Sequence, residues 1–138
     1  MTRRKLNPRK FRWPTAHEVA QVIVLAAKHE GEDPIAVATG RPRSRARVYA
    51  FATLASVFDT LMFVDLMRLC GAPEEMAATM SISARQIVRG DPSKNSFWFV
   101  PEVVNKLRVA MGWGEASEDR IMLRRWDRRG NALVEDNS

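Results

Sequence analysis

The apolar residues of this chain recur with a helical period. Val19, Val22, Ile23, Ala26 and Ala27 fall at the i, i+3, i+4, i+7 spacing of one helix face. The segment carrying them opens at Thr15-Ala16-His17-Glu18, where Thr15 can accept a backbone N–H and Glu18 can reach back, the two halves of a capping box. Trp13-Pro14 biases the preceding chain away from helix, and Glu30-Gly31 is a stop, so a first helix is predicted to about His29. Asp33-Pro34 predicts a short second helix ending by Gly40, with Asp33 as cap and Pro34 at the first helical position. Ser44 is the cap of a third, whose stripe is Val48, Phe51, Ala55 and Phe58. Asp59-Thr60 is a candidate break before Leu61 to Cys70, and the pattern fits one long helix or two. Gly71 supplies the stop.

Glu74 to Met80 and Ser83 to Arg89 then read as two helices around a tight turn at Ser81-Ile82, closed by Gly90-Asp91-Pro92. Pro101 to Met111 places Val100, Val104, Leu107 and Met111 along one face. No segment alternates like a strand, Ser96 to Val100 being the nearest to an extended stretch. The predicted fold class is therefore all-α. A helical domain over 14–112 carries a helix-turn-helix at 74–90, between a basic arm (1–13) and a charged tail (113–138).

The helix-turn-helix reading rests on spacing. Ala77 is small enough for a helix crossing, Ser81 takes the turn four residues on, and Ile82 plugs the angle between the helices. Ile87 anchors the second helix, which Ser83 is placed to cap. With Ile82 and Ile87 inward, Arg85 and Arg89 project outward, flanked by Ser83 and Gln86. Arginine bonds guanine O6 and N7 in a bidentate manner and glutamine reads adenine, so this surface suits a major groove.

Charge changes the picture more than composition does. The chain of 138 residues is 46% hydrophobic and 28% charged, the balance of a folded globule. Its net charge of +6 is uneven: residues 1–47 hold eleven Lys and Arg against four acids, and the remainder eleven against twelve. Clustered cations are what a polyanion-binding surface needs. Arg3, Arg4 and Lys5 stand in the arm. Arg41, Arg43, Arg45 and Arg47 alternate through Arg41-Pro42-Arg43-Ser44-Arg45-Ala46-Arg47, just before a helix start that offers free N–H groups to a phosphate. The competing reading is a basic loop folded over Glu30, Glu32 and Asp33.

These features together carry a resemblance. From about Val22 to Gly90 the chain resembles the C-terminal DNA-binding domain of the bacterial replication initiator DnaA. The matching stretches are the helix ending near His29, the Asp33-Pro34-Ile35 helix, the basic loop, Val48-Tyr49-Ala50-Phe51-Ala52, and Ala72-Pro73-Glu74-Glu75-Met76-Ala77. The resemblance implies DNA contacts from Arg41, Arg43, Arg45 and Arg47. The family's Asp-His-Thr-Thr signature is absent, with Ser83-Ala84-Arg85-Gln86 in its place, and no phosphate-binding loop precedes the domain. Stand-alone proteins with such domains include regulators of alphaproteobacteria and their phages, among them activators of gene transfer agents. The expectation is a sequence-specific regulator of double-stranded DNA, cytoplasmic and nucleoid-associated. A small-terminase-like packaging adaptor and a DnaA-like replication-control protein are the alternatives.

Other chemistry has little to stand on in the sequence. His17 and His29 lack metal-pair spacing, and no Gly-rich phosphate loop, Gly-x-Ser-x-Gly or paired-carboxylate constellation occurs. Neither an enzyme activity nor a metal or other cofactor is expected. The lone Cys70 ends an apolar run and is expected to be buried and structural. The start of the chain lacks an apolar h-region, arguing against a secretory signal, and the longest apolar runs fall well short of the roughly 20 residues of a membrane span. Phe97-Trp98-Phe99 is expected to cover the core. Its functional alternative, shared with the tail around Trp126, is docking of RNA polymerase or a co-activator.

Overall fold

Most helix ends in the computed structural model, which describes residues 12–59 and 61–123, are closed by residues no more than a few positions away. The first helix, α1 (Ala16–Glu30), begins with the capping box expected at Thr15: Glu18 N–H donates to Thr15 Oγ1 at 3.0 Å and Thr15 N–H to Glu18 Oε1 at 2.8 Å. It ends at Gly31, whose left-handed backbone lets Glu32 N–H reach Ala27 O at 2.8 Å. Asp33 caps α2 (Pro34–Ala38) and Ser44 caps α3 (Arg45–Val57), as their sequences predict. α3 ends at Val57 and α4 is a separate helix over Phe63–Leu69, so the stretch from Arg45 to Cys70 is two helices. A single 3-10 turn at Glu74–Met76 runs into α5 (Ala77–Val88), followed by α6 (Pro101–Ala110) and α7 (Glu118–Ile121). The fold is all-α, with no strand among the described residues. Ser96 to Val100 forms a turn instead, Phe99 N–H donating to Ser96 O at 3.0 Å.

The core is organised around α3. From Tyr49 through Asp59 every residue is buried, so α3 is enclosed on all sides by α1, α4, α5, α6 and α7. Its two aliphatic hydroxyls cost little there because each bonds a carbonyl of its own helix. Thr53 donates to Tyr49 O and Ser56 to Thr53 O, both at 2.7 Å. Two cations cover its C-terminal end: Arg108 donates to Ser56 O and Oγ, and Arg120 to Ser56 O and to the buried Asp59 carboxylate at 2.9 Å. A helix C-terminus favours positive charge of this kind.

The placement of Arg120 corrects the predicted domain boundary at 112. Ile121 and Leu123 are fully buried in the same core, and Trp113 meets Phe58 edge-on at 5.8 Å. Residues 113–123 are therefore integral to the fold rather than a charged tail. Cys70 is buried as expected, and burial pushes its thiol up to about 12. Among the described residues no helix is long and apolar enough to cross a membrane.

Candidate nucleic-acid interface

The predicted turn at Ser81-Ile82 does not form. α5 runs unbroken from Ala77 to Val88 and buries Ala77, Ser81, Ala84 and Val88, a single stripe at helical spacing. Ser81 Oγ donates to Ala78 O at 2.8 Å, so the residue expected to take the turn bonds back into its own helix. Ile82 is 57% exposed and plugs nothing, and Ser83 lies within the helix rather than capping one. The helix pair in this region is instead α4 and α5. They pack together across the connection through Gly71, Pro73 and the Glu74–Met76 turn.

One continuous helix redistributes the residues expected to read bases. At about 100° per residue, Ser83 and Arg85 fall on opposite flanks of α5. Ser83 lines a groove toward the basic loop, whereas the Arg85 guanidinium lies 5.9 Å from the Phe63 ring of α4. Gln86 sits between those flanks, and Arg89 is exposed at the C-terminal end. Thr79 and Ile82 complete the outward face, and sequence reasoning missed both. The Ala77, Ser81, Ala84, Val88 stripe is the signal that would have exposed them.

The basic loop is built by α1. Gly31 turns the chain so that Glu32 faces the start of α3, where its carboxylate accepts Ser44 Oγ at 2.7 Å and Ala46 N–H at 3.0 Å. Ser44 Oγ in turn accepts Arg47 N–H at 2.9 Å. The Ala46 and Arg47 N–H groups are thereby engaged, which corrects the expectation that they are free for a phosphate. Glu32 also lies 3.8 Å from Arg41. The competing reading of the loop, folded over acids, holds for Glu32 and leaves three arginines outward.

Those three are Arg41, Arg43 and Arg45, all exposed. Arg47 is not among them. It is 2% exposed, donating from Nε to Cys70 O at 3.1 Å and from Nη2 to Val37 O at 2.9 Å, and burial lowers its basicity. Its role is to hold the C-terminal ends of α2 and α4 against α3, so the DNA contact implied for it by resemblance is not available. The alternation of four arginines thus resolves into three on the surface and one in the core.

Between the loop and α5 lies an open groove of about 600 Å³, walled by Arg41, Arg43, Arg45 and Ser83. Trp98 also lines it, with the Arg45 guanidinium over its ring at 5.1 Å. Tyr49 fixes this wall: its hydroxyl donates to Trp98 O and accepts Val100 N–H, both at 2.9 Å. Within the aromatic run Phe99 is buried against Tyr49 and Trp98 is half-buried, as core-covering rings should be, but Phe97 is 79% exposed. Arg3, Arg4, Lys5 and Trp126 lie outside the described residues. No family model matches this sequence, and no match is found among curated proteins or solved structures.

Proposed function

We propose that this chain is a double-stranded DNA-binding transcriptional regulator in which α5 enters the major groove and the Arg41–Arg45 loop holds the flanking phosphates. The observation that carries the reading is the shared groove, which sets three exposed arginines beside the outward face of an unbroken helix. Phosphate contacts give register and affinity, and side chains on a helix face give sequence. The exposed Ile82 suits this role, because an apolar side chain on such a face meets the thymine methyl group, and Gln86 can read adenine. In this reading α4 and α5 form the helix-turn-helix pair, Arg89 reaches a base or phosphate at the far end, and Arg85 is held back against Phe63.

The likeness of the loop and of Ala72 to Ala77 to the DnaA DNA-binding domain extends the proposal to stand-alone, nucleoid-associated regulators, including activators of phage-like genes. Phe97 is the member of the aromatic run available to RNA polymerase or a co-activator.

The test is fluorescence anisotropy on labelled duplexes over a salt series. Log K is expected to fall by about 0.9 per phosphate contact for each decade of salt. Arg43→Ala should weaken cognate and random duplexes alike and reduce that slope by about 1, whereas Ile82→Ala and Gln86→Ala should relax base preference. Absence of saturable binding at physiological salt, or equal effects of all three variants on both duplexes, sinks the assignment.

A further inference from the structure

The groove between the loop and α5 has the dimensions of a ligand site as well as those of a charged surface. Its volume of about 600 Å³ falls inside the roughly 300–1,000 Å³ typical of small-molecule pockets. Its two sides are chemically unlike. Arg41 and Arg43 line it from the loop, while Met80 and Ile87 of α5, together with Trp98, give it apolar lining. The two acids that line the groove leave Arg43 uncancelled. Glu32 is committed to Ser44, Ala46 and Arg41, and Glu30 Oε2 lies 2.8 Å from His29 Nδ1. Arg43 has no hydrogen-bond or ion-pair partner among the described residues. Tyr49 holds Trp98 through its backbone carbonyl and meets its ring edge-on at 5.7 Å.

An inorganic anion would leave the apolar lining unused, and an apolar ring alone would leave Arg43 unpaired. A phosphate monoester carries close to two negative charges near neutral pH and matches paired guanidinium groups. Methionine adapts its flexible thioether to a flat ring. We infer that the groove binds a nucleoside monophosphate, free or at a strand end, with its phosphate between Arg41 and Arg43 and its base against Met80, Ile87 and Trp98. An occupied groove withdraws Arg41 and Arg43 from duplex DNA, so the ligand competes with DNA. That regulatory consequence rests on the DNA-binding reading above; the binding itself does not.

The experiment is a heteronuclear NMR titration of the full chain with AMP, adenosine and inorganic phosphate in turn. AMP is expected to shift the Trp98 indole, the Ser83 amide and the Met80 and Ile87 methyl signals, with an affinity at least tenfold above either fragment. Arg43→Ala should lower AMP affinity about tenfold, the loss of one charge-assisted contact. Ser83→Glu, a second variant in case the first disturbs folding, should exclude AMP by placing a carboxylate in the groove. A 5′-phosphorylated dinucleotide that binds as tightly as AMP assigns the site to strand ends, and weaker binding assigns it to free nucleotide. Equal affinity for AMP and phosphate, shifts elsewhere on the protein, or no shifts at millimolar AMP overturns the inference. Duplex binding without groove shifts defeats this inference alone. Groove shifts without binding of any duplex defeat the DNA reading and leave the nucleotide site standing.

Discussion

Replacing Arg47 with methionine separates a structural arginine from a DNA-contacting one. Methionine keeps an unbranched apolar stem but removes the donors to Cys70 O and Val37 O. Val37 O retains a second donor, Gly40 N–H at 3.4 Å, so its loss is partial. Cys70 O left without this donor costs about 1–3 kcal/mol, the partial loss at Val37 O adds to it, and relief of the buried cation offsets part, giving a net loss of about 1–2 kcal/mol. With an unfolding entropy of about 2.1 cal/mol/K per residue over this chain, Tm should fall by about 3–7 °C. Thermal unfolding followed by circular dichroism measures it, with Arg43→Met as the control, whose exposed side chain should leave Tm unchanged. Arg47→Lys should recover only part of the loss, since a single ammonium cannot reproduce the guanidinium fork. If Arg47→Met keeps Tm within about 2 °C of the parent and instead abolishes DNA affinity, the assignment of Arg47 to the core is wrong.

Three further outcomes follow from the packing. Gly71→Ala should destabilise the protein by about 2 kcal/mol or more, because the residue sits at φ 99° and an added Cβ would lie 2.3 Å from Val37 O; urea unfolding checks it. The hydrogen-bonded Arg12 guanidinium, helped by Thr15 N–H, holds the Glu18 carboxyl down at about 2 against an ordinary 4.5. A depressed carboxyl contributes stability above its unfolded value, so the advantage of the parent over Glu18→Gln should be full above pH 4.5 and vanish as pH falls toward 2. Both partners are partly exposed, which limits that advantage to about 1 kcal/mol in a pH series of denaturant melts. Cys70, buried and with its thiol pushed up to about 12, should react with a thiol reagent only at the rate of unfolding, and rapid labelling of the native protein contradicts its place in the core.

Part of the candidate site was legible in the sequence. The basic loop, its position before a helix and the stop at Gly31 were all visible as local patterns, and so was Ser44 as cap. The identity of the outward residues on α5 was not. A spacing that resembles two helices and a turn was also compatible with one helix. The deciding contribution is the burial of Ala77, Ser81, Ala84 and Val88 together against neighbours distant in sequence. Nothing in the sequence singles out Glu32 from Glu30 and Asp33 as the clamp on the loop, since its partners lie twelve and fourteen residues away. Trp98 as a groove wall depends on a hydrogen bond from Tyr49, forty-nine residues earlier.

What the sequence by itself determined was where helices begin and most of where they stop. The capping box at Thr15, the Asp33-Pro34 start and the Gly31 and Gly71 ends are interactions among residues a few positions apart, and a short segment carries them whole. Tertiary structure decided which faces those helices turn inward. The arginines at 41, 43, 45 and 47 are alike in composition and spacing, and only the carbonyls at the ends of α2 and α4 draw the last of them into the core. Ser81 offered no glycine or proline to break the chain, and its hydroxyl found a partner at Ala78 within the helix. The buried stripe therefore continued through it and left Ile82 facing out.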